Sequence, residues 1–196
     1  MEVYIMYKQI SEELLSFIRK SPTCFHAVDT IRSMLKEAGY QELKECEAWN
    51  LQTGGKYFTT RNGSSVIAFS IGKELDDYHF QIAASHSDSP TFKIKENAEL
   101  KGKGGYIQLN TEGYGGMICS TWMDRPLSIA GRVLVKEGNA LVTKLVSFDR
   151  DLVLIPNVAI HMQRNVNDGM AFNKQVDMLP LFSAGECEDG DFYRLI

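Results

Sequence analysis

Residues 83–90 read AASHSDSP, which sets His86 and Asp88 two apart among small side chains at the end of an apolar run. Imidazole is a good zinc ligand, and a ligand histidine is ordinarily oriented by a carboxylate or carbonyl on its other ring nitrogen. An aspartate two residues on, past a strand end, can reach back to do this. Ala83, Ala84 and Ser85 would leave room for metal and substrate. The same spacing also arises by chance in a chain with four histidines, so a buried histidine followed by an ordinary turn stays open beside the metal reading. Zinc needs at least three protein ligands, and His86 supplies one.

The other chemistry-bearing residues read more plainly. His161, in IPNVAIHMQRN, follows an apolar stretch and reads locally as a hydrogen-bonded histidine closing a core segment. His26 reads as a capping or surface histidine, and His79 has no assigned role. Glu12-Glu13 lies on the polar side of an amphipathic helix and reads as a solvated face. Asp124 and Arg125, in STWMDRPL, read as a structural ion pair near an interface. Gly113, Gly115 and Gly116 do not open a helix as a phosphate-binding loop does, which argues against a nucleotide site. Cys24, Cys46, Cys119 and Cys187 show no CxxC spacing, so they read as small buried hydrophobes in a reducing, cytoplasmic setting.

Several elements must position these residues. Ile10, Leu14, Phe17 and Ile18 fall at helical spacing. Ser21 and Pro22 stop that helix and start a second, striped by Phe25, Val28, Ile31 and Leu35 and ended by Gly39 in a left-handed cap. KYFTT and SSVIAFSIG then flank a tight turn at Asn62-Gly63. Residues 78–85 read as a largely buried strand with His86 at its carboxyl end, where sites collect in open α/β sheets. From residue 91 the texture becomes glycine-rich, with short strands and a hairpin in GRVLVKEGNALVTKLVSF. The reading is an α/β unit over residues 1–91 and a β-rich unit over 92–196. FSAGECEDGDFYRLI does not resemble the closing strand or helix of an α/β domain. A doubly wound domain needs more βα units than residues 1–90 hold, so completion by sequence outside this chain is expected.

The chain has 196 residues, a net charge of −4 and 44% hydrophobic residues, enough for one packed domain or parts of two. The scattered basic residues argue against a nucleic-acid surface. No secretory signal is visible, and no apolar run approaches the length of a membrane span.

Taken together, SPTCFHAVDTIRSMLKEAGYQELKE, GGKYFTTRNGSSVIAFSIG, ASHSDSP, YGGMICSTWMDRPLSIAGRVLV and IPNVAIHMQRNVNDG resemble the aspartyl aminopeptidase family of zinc metallopeptidases, in that family's order. The resemblance implies the start of an α/β/α zinc-peptidase domain in 1–91 and an incomplete β-rich dimerisation domain in 92–196. It implies peptide substrates with acidic N-terminal residues, two zinc ions per complete site, and dimers assembled into dodecamers. By the same resemblance His86 is a zinc ligand and Asp88 the carboxylate that orients a ligand. His161 is the histidine that reaches a neighbouring subunit's active site to bind or polarise substrate. Asp124 and Arg125 belong to a signature of the dimerisation domain. The family's bridging Asp, Glu-Glu pair, further acidic ligand and final His do not occur here in their context, so this chain alone is expected to be inactive. The other readings are a non-catalytic assembly module and a related two-zinc deacylase.

Overall fold

The computed structural model describes residues 2–74, 76–77, 79–185 and 187–196, with side chains described from Met6 onward except Lys103. In chain order the elements are α1 (Glu2–Lys20), α2 (Cys24–Glu37), β1 (Gln41–Glu42), β2 (Lys56–Arg61), β3 (Ser65–Ser70), β4 (Thr91–Lys101), β5 (Tyr106–Tyr114), β6 (Pro126–Leu127), β7 (Ala130–Glu137), β8 (Ala140–Ser147), β9 (Val153–Leu154), β10 (Leu181–Ala184) and α3 (Asp191–Leu195). They form two compact units. The first comprises the residues up to Ser89 together with Ala130–Leu145; the second comprises Pro90–Ile129 and Val146–Ile196. The hairpin β7–β8, which the sequence reading places in the β-rich unit, therefore clusters with the first.

In the first unit, α2 is fixed at both ends by its own sequence. Its N-cap is Thr23, not the expected Ser21-Pro22: the Thr23 hydroxyl accepts from the His26 N–H at 3.4 Å. The Ala27 N–H also donates to the Thr23 carbonyl at 2.8 Å, so the ladder begins there and Pro22 is left in the lead-in. At the other end Gly39 takes φ +81°. Its N–H donates to the Lys36 carbonyl and the Tyr40 N–H to the Leu35 carbonyl, which satisfies two otherwise orphaned carbonyls. Ala27 and Val28 are buried, and so are Tyr57 and Phe58 of β2. The strands run β1-β2-β3, with β1 parallel and β3 antiparallel to β2. Asn62 (φ 53°), Gly63 (φ 63°) and Ser64 form the three-residue turn between β2 and β3, whose last paired residues are Arg61 and Ser65; the first two are left-handed, the backbone that an Asn-Gly pair accepts at least cost. Arg32 donates two hydrogen bonds to the Glu42 carboxylate, at 3.0 and 3.2 Å, and Lys36 pairs with the same group at 2.8 Å.

The expected buried strand before His86 is not formed. Residues 79–86 are irregular and exposed, with Phe80 81% and Ile82 84% accessible. Tyr78 lies outside the described residues. An apolar run becomes a buried strand only where other strands complete its ladder and cover its faces, and the described sheets do not include this segment.

The second unit is a five-stranded sheet in the order β4-β5-β10-β9-β6. Ala98, Leu109, Val153 and Phe192 form its core, with Ile94, Leu127, Ile129, Leu152 and Phe182 packed around them. The pairing of β4 with β5 shifts register between Ile94 and Glu99. The tail 182–196, read from sequence as unlike the closing strand or helix of an α/β domain, supplies most of the central strand of this sheet and the short helix α3. Its pattern is too brief to announce either element; pairing with β5 on one side and β9 on the other makes it a strand.

Candidate functional site

His86 and Asp88 are brought together by two local bonds. The His86 Nδ1 lies 2.7 Å from the Asp88 backbone oxygen and 3.2 Å from its Oδ1. Both partners are acceptors at neutral pH, so Nδ1 carries the proton and donates. Whenever the ring is neutral its lone pair is then on Nε2, the nitrogen through which such a histidine binds a metal. The His86 side chain is 80% accessible and that of Asp88 41%. The intervening Ser87 is tied elsewhere: its hydroxyl donates to the Ser64 carbonyl at 2.7 Å, just past the β2–β3 turn. Nothing in the sequence pattern pointed to Ser87; the contact spans 23 positions.

The donor set fits zinc at one position. His86 offers an exposed imidazole whose Nδ1 is engaged by Asp88, with a carboxylate behind it. Among the described residues, no three His, Cys, Asp or Glu side chains gather to complete a coordination shell.

His161 belongs to the second unit, His86 to the first. The local reading of His161 as the end of a core segment does not hold. Strand β9 ends at Leu154, Ile155 makes one further bridge to Met123, and Pro156 lacks the N–H to continue a ladder. The chain then leaves the sheet, and His161 sits exposed on a turn closed by the Met162 N–H to the Ala159 carbonyl at 2.8 Å. Its neighbours Ile160 and Met162 are also exposed.

Asp124 and Arg125 do not pair as expected. Asp124 has φ 53°, and its side chain and backbone stabilise this left-handed conformation: Oδ1 accepts from the Asn157 N–H at 2.9 Å while its own N–H donates to the Ile155 carbonyl at 2.9 Å. Arg125 turns back to the Thr121 carbonyl at 3.4 Å. His26 meets the Thr23 hydroxyl through Nδ1 at 2.8 Å, and partial burial lowers its pKa against the opposing pull of Asp29. Cys24, Cys119 and Cys187 are half-buried and Cys46 is exposed, so Cys46 departs from the expected buried hydrophobe; all four are free thiols.

The sequence profile of a family described as Aminopeptidase I zinc metalloprotease (M18) matches residues 17–191. A relative from Clostridium novyi (strain NT), named Probable M18 family aminopeptidase 2, is 52% identical over 176 residues, covering 88% of this chain and 41% of its own length. Among solved structures, the cryo-EM structure of the Ape4 and Nbr1 complex superposes with a TM-score of 0.87 at 39% identity, over 91% of this chain and 35% of that one. The Saccharomyces cerevisiae mApe1 dodecamer superposes with a TM-score of 0.71 at 26% identity, over 95% of this chain and 40% of that one. The chain thus spans about two-fifths of the length of the curated relatives it matches.

Proposed function

The chain belongs to the M18 family of zinc metalloproteases, and from that premise we propose that it carries part of an aminopeptidase that removes N-terminal residues, preferentially acidic ones, from peptides. The observation that carries the reading is the Nδ1 bonding of His86 to Asp88, which leaves Nε2 available for a metal. His86 is the proposed zinc ligand and Asp88 the residue that fixes its tautomer and ring orientation. Two zinc ions are proposed for a complete site; when bound they supply Lewis-acid polarisation of the scissile carbonyl and an acidified water. The Nδ1 bonds to Asp88 hold the ring in one orientation, so Nε2 meets a cation already aligned.

His161 is proposed to act on substrate in a neighbouring subunit, where an exposed imidazole on a turn can donate to the developing oxyanion. This fits an assembly formed through the β-rich residues 92–196, with residues 1–91 forming part of the peptidase domain. A dimer and higher oligomers are therefore the proposed partners, alongside peptide substrates. A cytoplasmic location is proposed from the four unpaired cysteines. No helix of the described residues is long and apolar enough to cross a membrane.

The 196-residue chain by itself is proposed to lack activity, because one described ligand is fewer than the three that zinc requires. Zinc analysis after dialysis, together with turnover of an acidic aminoacyl anilide, tests this. The expected result is no tightly held zinc and background turnover, with weak zinc binding that His86→Gln removes. Two tightly held zinc ions per chain with measurable turnover would overturn the inactivity, and zinc binding unchanged in His86→Gln would overturn the ligand assignment.

A further inference from the structure

The loop that carries His86 is tied to the β2–β3 turn through Ser87. Residues 79–86 belong to no described sheet and are exposed. The Ser87 hydroxyl donates to the Ser64 carbonyl at 2.7 Å, and Ser87 lies between the two residues whose mutual bonding sets the His86 tautomer. The acceptor is firmly held. The Ser64 N–H donates to the Arg61 carbonyl at 3.1 Å, closing the β2–β3 turn, and the Arg61 guanidinium grips both oxygens of the Glu45 carboxylate, Nε on Oε2 and Nη2 on Oε1. From the β7–β8 hairpin, Arg132 Nη1 donates to both the Asn62 carbonyl, at 2.7 Å, and Asn62 Oδ1, at 3.1 Å. The Arg132 guanidinium also lies 3.9 Å from the centroid of the Phe25 ring on α2. One turn is therefore held by β7 and is itself the anchor of the His-x-Asp loop.

We propose that Ser87 is a positioning residue for His86: its hydroxyl ties the loop to the Arg132-held turn and so keeps His86 Nδ1 on Asp88 and Nε2 presented to a cation. The cation half of this inference rests on reading His86 as a zinc ligand; the tautomer half does not. Both ends of the 86–88 bonding share the backbone of residue 87. Without the anchor, that backbone gains freedom, and the exposed Nδ1 bonds to Asp88 compete with water. Ser87→Thr keeps a hydroxyl at the same position, whereas Ser87→Ala removes it.

The test uses the whole 196-residue chain with ¹⁵N-labelled histidine and reads the ring nitrogens by long-range NMR correlation. In the wild-type chain His86 is expected in the Nδ1–H form. In Ser87→Ala this preference is expected to be lost, with both ring nitrogens moving toward the average of the two tautomers. In Ser87→Thr it is expected to return. The ring nitrogens of His26, held by Thr23, report whether the fold survives each substitution; if Ser87→Ala disturbs them, Ser87→Thr against wild type decides. Titration with zinc chloride supplies the second reading: the zinc concentration that half-shifts His86 Nε2 is expected to rise about tenfold in Ser87→Ala, in the range seen when groups behind a ligand are removed. An unchanged His86 tautomer in Ser87→Ala overturns the positioning role whatever zinc does. A wild-type His86 that ignores zinc overturns the ligand reading alone, since the tautomer shift still decides the role of Ser87.

Discussion

Tyr193→Phe is the sharpest probe of how the second unit is held together. Where β4 shifts register against β5, between Ile94 and Glu99, the ladder leaves backbone groups without strand partners. The Tyr193 hydroxyl satisfies two of them: it accepts from the Ala98 N–H at 2.7 Å and donates to the Glu96 carbonyl at 2.8 Å. Removing the oxygen keeps the ring, which meets Phe192 edge-on with centroids 5.8 Å apart, so packing changes little. The two freed groups differ in cost. The Glu96 carbonyl is exposed and recovers a water. Ala98 is 1% exposed, and an unsatisfied buried N–H costs about 1–3 kcal/mol. A loss of about 2 kcal/mol is therefore expected. With a urea slope near ~2 kcal/mol per molar, the midpoint should fall by roughly 1 M. The readout can be assigned to one unit, because the chain has two tryptophans, Trp49 in the first and Trp122 in the second. In a Trp49→Phe background, Trp122 fluorescence follows the second unit alone. A midpoint within about 0.3 M of the parent would refute the reasoning, and so would an equal loss in the first unit, read from Trp49 in a Trp122→Phe background.

Other expectations follow from the same bonds. Partial burial raises the Glu42 pKa, but hydrogen bonds and charge from Lys36 and Arg32 outweigh it and hold the carboxyl below its usual range. The unfolded chain then takes up the proton first, so this cluster's stabilisation is complete above about pH 4.3 and is lost as pH falls through the lower folded value; urea midpoints of the first unit should show that slope and Glu42→Gln should flatten it. His26 is likewise lowered by burial, so its contribution is complete above about pH 6.5 and fades below it, and His26→Gln should remove that slope. Arg132→Ala should cost about 0.5–1 kcal/mol, the range for an exposed cation–π contact, with faster amide exchange in β7 as the visible sign.

What could be read from sequence was local chemistry. Asn62-Gly63 demands left-handed backbone, and Gly39 closes a helix whichever neighbours it meets, so both places were legible. The start of α2 slipped by two positions because Ser21 and Thr23 offer equivalent hydroxyls and only the backbone chooses between them. What stayed hidden depends on distant partners. The run 79–85 carries the apolar residues of a buried strand, but no described strand pairs with it. The central strand β10 is four residues long and owes its state to β5, about 75 positions earlier. At the candidate site, the His86–Asp88 pairing follows from a spacing of two and was visible at once. The Ser87–Ser64 bond and the grip of Arg132 on Asn62, 70 positions apart, carry no sequence signal. His161 was misjudged locally because an apolar approach does not reveal that the sheet has already ended at Leu154.

The assignment of Ala130–Leu145 to the first unit has a consequence for how the chain can be cut. The backbone passes between units three times, after Ser89, after Ile129 and after Leu145. A nick after Ile129 or Leu145 leaves residues up to Ser89 still joined to the second unit, whereas a nick after Ser89 leaves only 130–145 of the first unit so joined. A piece stopping at Ser89 would lack the β7 arginine that holds the Asn62 turn, so the β-hairpin nearest His86 would have lost its brace. Separating the units cleanly requires a permuted chain in which 130–145 follows 89 through a short designed linker, with the second unit's halves rejoined in turn.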